Sequence, residues 1–170
     1  MKNVIYGLIL VVLLGCGGPK IVYDYDAQKN FTKYKTYNYY PELNTDLSDF
    51  DLKRLLEATD NVLVKKGLTK SENPQLYINF KSKEYSTPSN NTLGVGIGTG
   101  PLQVGGNVPF GAPNQRIQLT IDFIDVETDE LIWQAEADDT QNSKQTPESR
   151  TGFFNIMMQK VLDKYPPQKK

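Results

Sequence analysis

Apolar and polar positions change period along the chain, and each change predicts an element. From residue 49 to residue 66 the leucines and valines recur at three- and four-residue spacing, which is typical of an amphipathic helix. Ser48 is suited to cap its start and Gly67 to end it. A second stripe of helical period begins at Pro147, a residue favoured at the first helical position, and continues to Tyr165. The chain is therefore expected to contain two amphipathic helices.

Other segments alternate with a period of two and predict strands. These strands cover residues 35–40, 76–83, 117–123 and 131–137. In the last three, one face is apolar and the opposite face is polar, so the sheet is expected to have one dry side and one wet side. The expected fold is α+β: a two-layer sandwich of an antiparallel-rich four-stranded sheet with two helices on one face, in the order β-α-β-β-β-α.

Residues 86–115 do not fit this pattern, because they are rich in Gly, Asn, Ser and Pro. Their glycines match no Gly-x-Gly-x-x-Gly or Gly-Lys-Ser/Thr sequence, so a phosphate cradle is not indicated. A segment of this length without regular structure is usually functional or disordered. We expect a flexible insert, which is either a mobile linker or a flap whose apolar side chains, such as Val95 and Ile97, contact a partner or the bilayer surface.

The amino-terminal segment predicts export. Lys2 precedes an apolar run, Val4 to Leu14, that is too short for a membrane span of about 20 residues and is followed by Gly15 and Cys16. This ending resembles the bacterial lipoprotein signal, in which cleavage falls between Gly15 and Cys16 and acyl chains are attached to the cysteine. The resemblance implies an envelope protein with a lipid anchor on Cys16, in the outer membrane, facing either the periplasm or the cell surface.

The resulting domain boundaries are an expectation of the sequence. They are a signal peptide at 1–15, a tether at 16–27, one domain at 28–167 and a tail at 168–170.

Composition narrows the chemistry. The chain has no His, one Cys and a formal net charge of −1. Imidazole-based catalytic triads and metal sites are therefore excluded, and a nucleic-acid partner is not indicated. With Cys16 acylated, no thiol is left for nucleophilic catalysis. We predict no cofactor, no metal and no catalytic residue.

The remaining function is a non-enzymatic binding, scaffold or assembly domain whose partner is another envelope protein. The wet sheet face and the insert are the candidate partner surface, which comprises Tyr77, Asn79, Gln118, Thr120, Gln134, Val95 and Ile97. Two alternatives stay open. A hydrolase of envelope glycans would use Asp122 and Glu136 as paired carboxylates, and a carrier of lipid or another hydrophobic ligand would need a cavity between helices and sheet.

Several segments together resemble a known family. They are Tyr23-Asp-Tyr-Asp, Phe31-Thr-Lys-Tyr-Lys-Thr-Tyr, Leu76-Tyr-Ile-Asn-Phe, the hairpin from Ile121 to Trp133 and the ending Val161-Leu-Asp-Lys-Tyr-Pro-Pro. In this order they resemble the envelope lipoproteins known as domain of unknown function 4136. The resemblance implies a lipid-anchored α+β domain, with no established activity and no catalytic residues to carry over.

Overall fold

The computed structural model describes residues 18–88, 92–97, 104–109, 113–141 and 145–168. Those residues form two α-helices, eight strands and one short 3₁₀ turn. The elements, in chain order, are β1 (Lys20–Tyr25), the 3₁₀ turn (Phe31–Lys33), β2 (Thr36–Tyr39), α1 (Asp49–Lys65), β3 (Thr69–Lys70), β4 (Leu76–Thr87), β5 (Thr92–Ile97), β6 (Val104–Pro109), β7 (Asn114–Asp125), β8 (Glu130–Gln141) and α2 (Pro147–Leu162).

Six strands form one mixed sheet, in the order β1-β8-β7-β4-β2-β3. The four strands from β1 to β4 in this order pair antiparallel, whereas β2 runs parallel to both β4 and β3. The α+β class is confirmed, but the prediction of four strands is wrong. The sheet gains two edge strands, β1 and β3, in which no residue is fully buried, although Ile21 and Tyr25 of β1 are partly buried against the core.

Two predicted boundaries need correction. The segment 16–27, expected to be a tether, contains β1, which pairs along its whole length with β8. The insert predicted at 86–115 is shorter than expected, because its first residues belong to β4 and its last residues to β7. Each of these two strands is 12 residues long. Within it, β5 and β6 pair antiparallel as a separate two-stranded sheet. The glycine content of this segment did not predict the pairing, because glycine is depleted in strands.

Both helices begin where the capping residues predict. The Ser48 side chain accepts a hydrogen bond from the Asp51 amide, and Gly67 follows α1 with a φ of 83°. At α2, Thr146 and Ser149 form a reciprocal capping box. Among the described residues, no helix is long and apolar enough to cross a membrane.

The two helices pack against each other and cover the dry face of the sheet. The centre of this core is aromatic: the Phe123 ring lies 5.0 Å from Trp133 and 4.5 Å from Tyr165. Phe80 and Phe154 are also fully buried. Because side chains fill the space between helices and sheet, the core argues against the hydrophobic-ligand carrier.

Candidate functional site

The face of the sheet opposite the helices is polar and open. Five residues of the predicted partner surface lie on it, on the three central strands, and all are half-buried: Tyr77, Asn79, Gln118, Thr120 and Gln134. The register brings them together, since Asn79 and Gln134 both lie opposite Asp122. We call this surface the polar face.

Two carboxylates on the polar face, Asp122 and Asp138, are paired with cations across strands. Lys81 Nζ lies 3.1 Å from Asp122 Oδ2, and Gln134 Nε2 donates to Asp122 Oδ1 at 2.6 Å. Arg116 Nε donates to Asp138 Oδ1 at 2.6 Å. Such cross-strand pairs hold the side chains in defined positions and supply modest stability. The polar face is therefore an ordered array of donors and acceptors.

The two carboxylates of the hydrolase alternative have different surroundings. Asp122 is only 4% exposed and is engaged by Lys81 and Gln134, whereas Glu136 is exposed and lies opposite Thr120 on the neighbouring strand. A glycosidase sets its carboxylates on two sides of a sugar within a cleft. Here they belong to one open face, and Asp122 is occupied as a salt-bridge partner.

Of the other predicted positions, the structure describes only the backbone of Val95 and Ile97. Gly15 and Cys16 precede the first described residue. Val95 and Ile97 belong to β5, where they pair with Gly106 and Val104, but their side chains are outside the described atoms.

Three polar clusters were missed by the sequence reasoning. In the first, Asp125 at the end of β7 is 1% exposed and accepts hydrogen bonds from Tyr34 Oη at 2.5 Å and Lys33 Nζ at 3.0 Å. Burial acts to raise the pKa of Asp125, but these two donors outweigh it and lower the pKa to about 2. A cavity of about 230 Å³ lies beside the cluster and is lined by Gln75 and Glu127, among others.

The second cluster joins β2 to α1. Asp60 Oδ1 accepts hydrogen bonds from Tyr37 Oη at 2.7 Å and Tyr39 Oη at 2.5 Å. Burial and the Asp60 carboxylate raise the pKa of both tyrosines, so the phenols stay protonated donors. Lys70 Nζ lies 4.4 Å from the Tyr39 ring centroid, in cation–π contact.

The third cluster joins both helices to the sheet. Arg150 of α2 donates to Asp51 of α1, through Nε at 2.8 Å and through a second, shorter bond from Nη2. Arg54 donates to the same carboxylate at 2.8 Å, and Glu84 of β4 lies 3.5 Å from Arg150. Burial acts to raise the pKa of Asp51, but the hydrogen bonds from Arg150 and Arg54 outweigh burial and lower this pKa. Burial raises the pKa of Glu84.

These clusters connect residues distant in sequence, so no local motif could have revealed them. Each one links a helix or turn to the sheet through a carboxylate. Their groups are mutually hydrogen-bonded, which favours a structural role over a catalytic one. Among the described residues, no group of three or more acidic or cysteine side chains is placed to hold a metal ion.

Comparison with known proteins identifies the class. Residues 21–167 match the model of the family described as "Domain of unknown function (DUF4136)", and the chain belongs to this family. No curated protein matches the sequence.

Solved structures share the fold at low identity. A PDZ domain protein from Parabacteroides distasonis is 19% identical with a TM-score of 0.54. The match covers 90% of this chain and 37% of that protein, so this chain spans little more than a third of the length of that protein. PelC from Paraburkholderia phytofirmans, a dodecamer, is 12% identical with a TM-score of 0.56, covering 89% and 99% of the two chains. A DUF4136 family protein from Bacteroides thetaiotaomicron is 11% identical with a TM-score of 0.52, covering 89% and 97%.

Proposed function

We propose that this protein is a lipid-anchored lipoprotein of the bacterial outer membrane whose domain binds another envelope protein through the polar face. The observation that carries the binding role is the polar face itself. It is an ordered and half-exposed surface on three central strands, and the helices leave it uncovered. Polar groups held in fixed positions by cross-strand pairs are suited to recognise a complementary protein surface.

The anchor is supported by the sequence Leu13-Leu-Gly-Cys16 after an apolar run. Because β1 begins at Lys20, only three residues lie between Cys16 and the first strand of the sheet. At about 3.5 Å per extended residue, the four Cα–Cα steps from Cys16 to Lys20 span at most about 14 Å. The proposed anchor therefore holds the domain close to the membrane, with two or three acyl chains supplying the binding energy.

A scaffold role agrees with the fold. The PelC structure is that of a dodecamer, so the same fold is compatible with assembly into larger complexes. The absence of His from the chain and the engagement of Asp122 by Lys81 both favour binding over catalysis.

The anchor is tested by labelling cells with radioactive palmitate. We expect incorporation into the unaltered chain and into Gly17→Ala, and none into Cys16→Ser. Label that persists in Cys16→Ser, or that never enters the unaltered chain, would contradict the anchor.

The binding face is tested by a photo-crosslinking amino acid placed at Thr120 in the cell. The matched control places it at Ile156 of α2, which is 56% exposed and lies away from the polar face. We expect a discrete protein adduct at Thr120 that is lost when Asn79→Arg adds a bulky charge beside it. Equal adducts at both positions would argue against the polar face.

A further inference from the structure

One edge of the six-stranded sheet is open and the other is protected. The protected edge is formed by β3, which has only two residues, one of them Lys70. A short, charged edge strand resists further pairing. At the open edge, β1 has six residues in unbroken register with β8. Among the described strands, none pairs with the outer side of β1. An exposed strand of this length is a template for strand addition.

The backbone of β1 shows which groups face outward. The amide of Asp26 donates to the Ile132 carbonyl of β8 at 3.0 Å. Since amides alternate in direction along an antiparallel strand, residues of even number face β8, and Ile21 and Tyr23 direct their N–H and C=O groups outward. The adjoining outward amide, that of Tyr25, is already occupied by the Asp24 carboxylate at 2.8 Å. Within the described part of the chain, Ile21 and Tyr23 thus present backbone groups without a partner at this edge.

The side chains of β1 add apolar surface and charge. Val22 is 61% exposed and Tyr23 is 44% exposed, which is unusual for two adjacent apolar residues. Lys20, Val22 and Asp24 lie on the polar face of the sheet, because they pair with Asp138, Glu136 and Gln134. The cation of Lys20 lies two residues before Val22, and the carboxylate of Asp24 lies two residues after it. This arrangement is complementary to itself when reversed.

We propose that β1 pairs antiparallel with β1 of a second copy of this chain, about a two-fold axis that passes through Val22. In this register Lys20 lies opposite Asp24 of the second copy, and Val22 lies opposite its own symmetry mate. Ile21 lies opposite Tyr23 of the second copy, and this pair exchanges backbone hydrogen bonds. The two sheets become one continuous sheet, with an ion pair at each end of the junction.

The register follows from geometry and charge. A shift of one residue would place an outward-facing residue opposite an inward-facing one, so the backbone hydrogen bonds could not form. A shift of two residues would keep those bonds but would separate Lys20 from Asp24. Only the proposed register satisfies the backbone groups and both charges. The pairing uses domain residues alone and holds with or without the lipid anchor.

A charge exchange tests the junction. The full chain in detergent is studied by sedimentation equilibrium over a range of concentrations, and we expect a monomer–dimer equilibrium. Lys20→Glu places like charges opposite each other at two symmetric positions, and so does Asp24→Lys. At about 0.2–1 kcal/mol for each cross-strand pair, either change is expected to weaken dimerisation about tenfold. The double variant, Lys20→Glu with Asp24→Lys, should restore it to within about twofold.

The matched control is Lys83→Glu, an exposed residue of β4 with the same change of charge. It should leave the dimer unchanged. A chain that is monomeric at every concentration overturns the proposal. So does association that neither single exchange weakens, or that the double exchange fails to restore.

Cross-linking tests the register independently. Val22→Cys brings two thiols face to face on the two-fold axis, at a non-hydrogen-bonded position where the Cα atoms are about 4.5 Å apart. Asp24→Cys is the control, since its symmetry mate lies four residues away along the junction. Mild oxidation should link Val22→Cys into a dimer on a non-reducing gel, while Asp24→Cys and the parent chain, which also retain Cys16, stay unlinked. Linkage at residue 24 equal to that at residue 22 overturns the register.

Discussion

Replacement of Arg150 by Met is expected to destabilise the fold by about 2–3 kcal/mol. Asp51 is buried, with only 5% of its side chain exposed, and it accepts two hydrogen bonds from the Arg150 guanidinium. Removing one partner of a buried ion pair costs about 3–5 kcal/mol, because the remaining charge is left without compensation. Arg54 and Ser48 still donate to Asp51 in the variant, and this retained support reduces the expected cost.

Arg54→Met is the matched control. The Arg54 side chain is 19% exposed and that of Arg150 is 17%, and both donate to Asp51. The Arg54 contact lies within one helix, at i,i+3 spacing, and such pairs contribute about 0.2–0.5 kcal/mol. The contact of Arg150 instead joins α2 to α1. The control should therefore lose less than about 1 kcal/mol.

Urea unfolding of the full chain measures both costs, since urea does not screen charges as guanidinium chloride does. Trp133 is the only tryptophan and is fully buried, so its fluorescence reports the core. The folded-state pKa of Asp51 is lowered, so the stability it contributes is present above its unfolded pKa and is lost as the pH falls. The cost of Arg150→Met should accordingly shrink in acid. A cost no larger than that of Arg54→Met would refute this account of the cluster.

Two further predictions concern one buried hydrogen bond and the backbone conformation at two glycines. The folded pKa of Asp125 is about 2, below its ordinary value of 3.8, so its contribution is complete above about pH 4 and is lost as the pH falls towards 2. Tyr34→Phe removes one of the donors that lower this pKa. Urea titrations should show that the free energy of unfolding falls by about 1 kcal/mol at pH 7 and by less at pH 3. An equal loss at both pH values would count against the contact. Gly67 has a φ of 83° and its Cβ position is open, so Gly67→Ala should cost about 1–2 kcal/mol from backbone strain alone. Gly152→Ala, within α2 and equally open, should instead stabilise the protein by about 0.5–1 kcal/mol, and a loss of thermal stability there would contradict the comparison.

The sequence by itself determined the two helices and the central strands. The spacing of apolar residues and the capping residues, such as Ser48 and Gly67, are local signals. The order of apolar and polar side chains also indicates which face of an element is buried. The polar face could be predicted for the same reason, because alternation in β4, β7 and β8 assigns each residue to one side. The absence of His is likewise visible without a structure.

Only the tertiary structure decided the edges of the sheet and the polar clusters. The strand β1 forms because its backbone pairs with β8, which lies more than 100 residues further along the chain. The side chains of β1 itself stay largely exposed. The hydrogen bond from Tyr34 to Asp125 spans 91 residues, and that from Arg150 to Asp51 spans 99. A local pattern records which face of an element is buried, whereas a partner across the fold is set by chain topology. For this reason, the open edge on which the proposed dimer depends could not be recognised before the strands were placed.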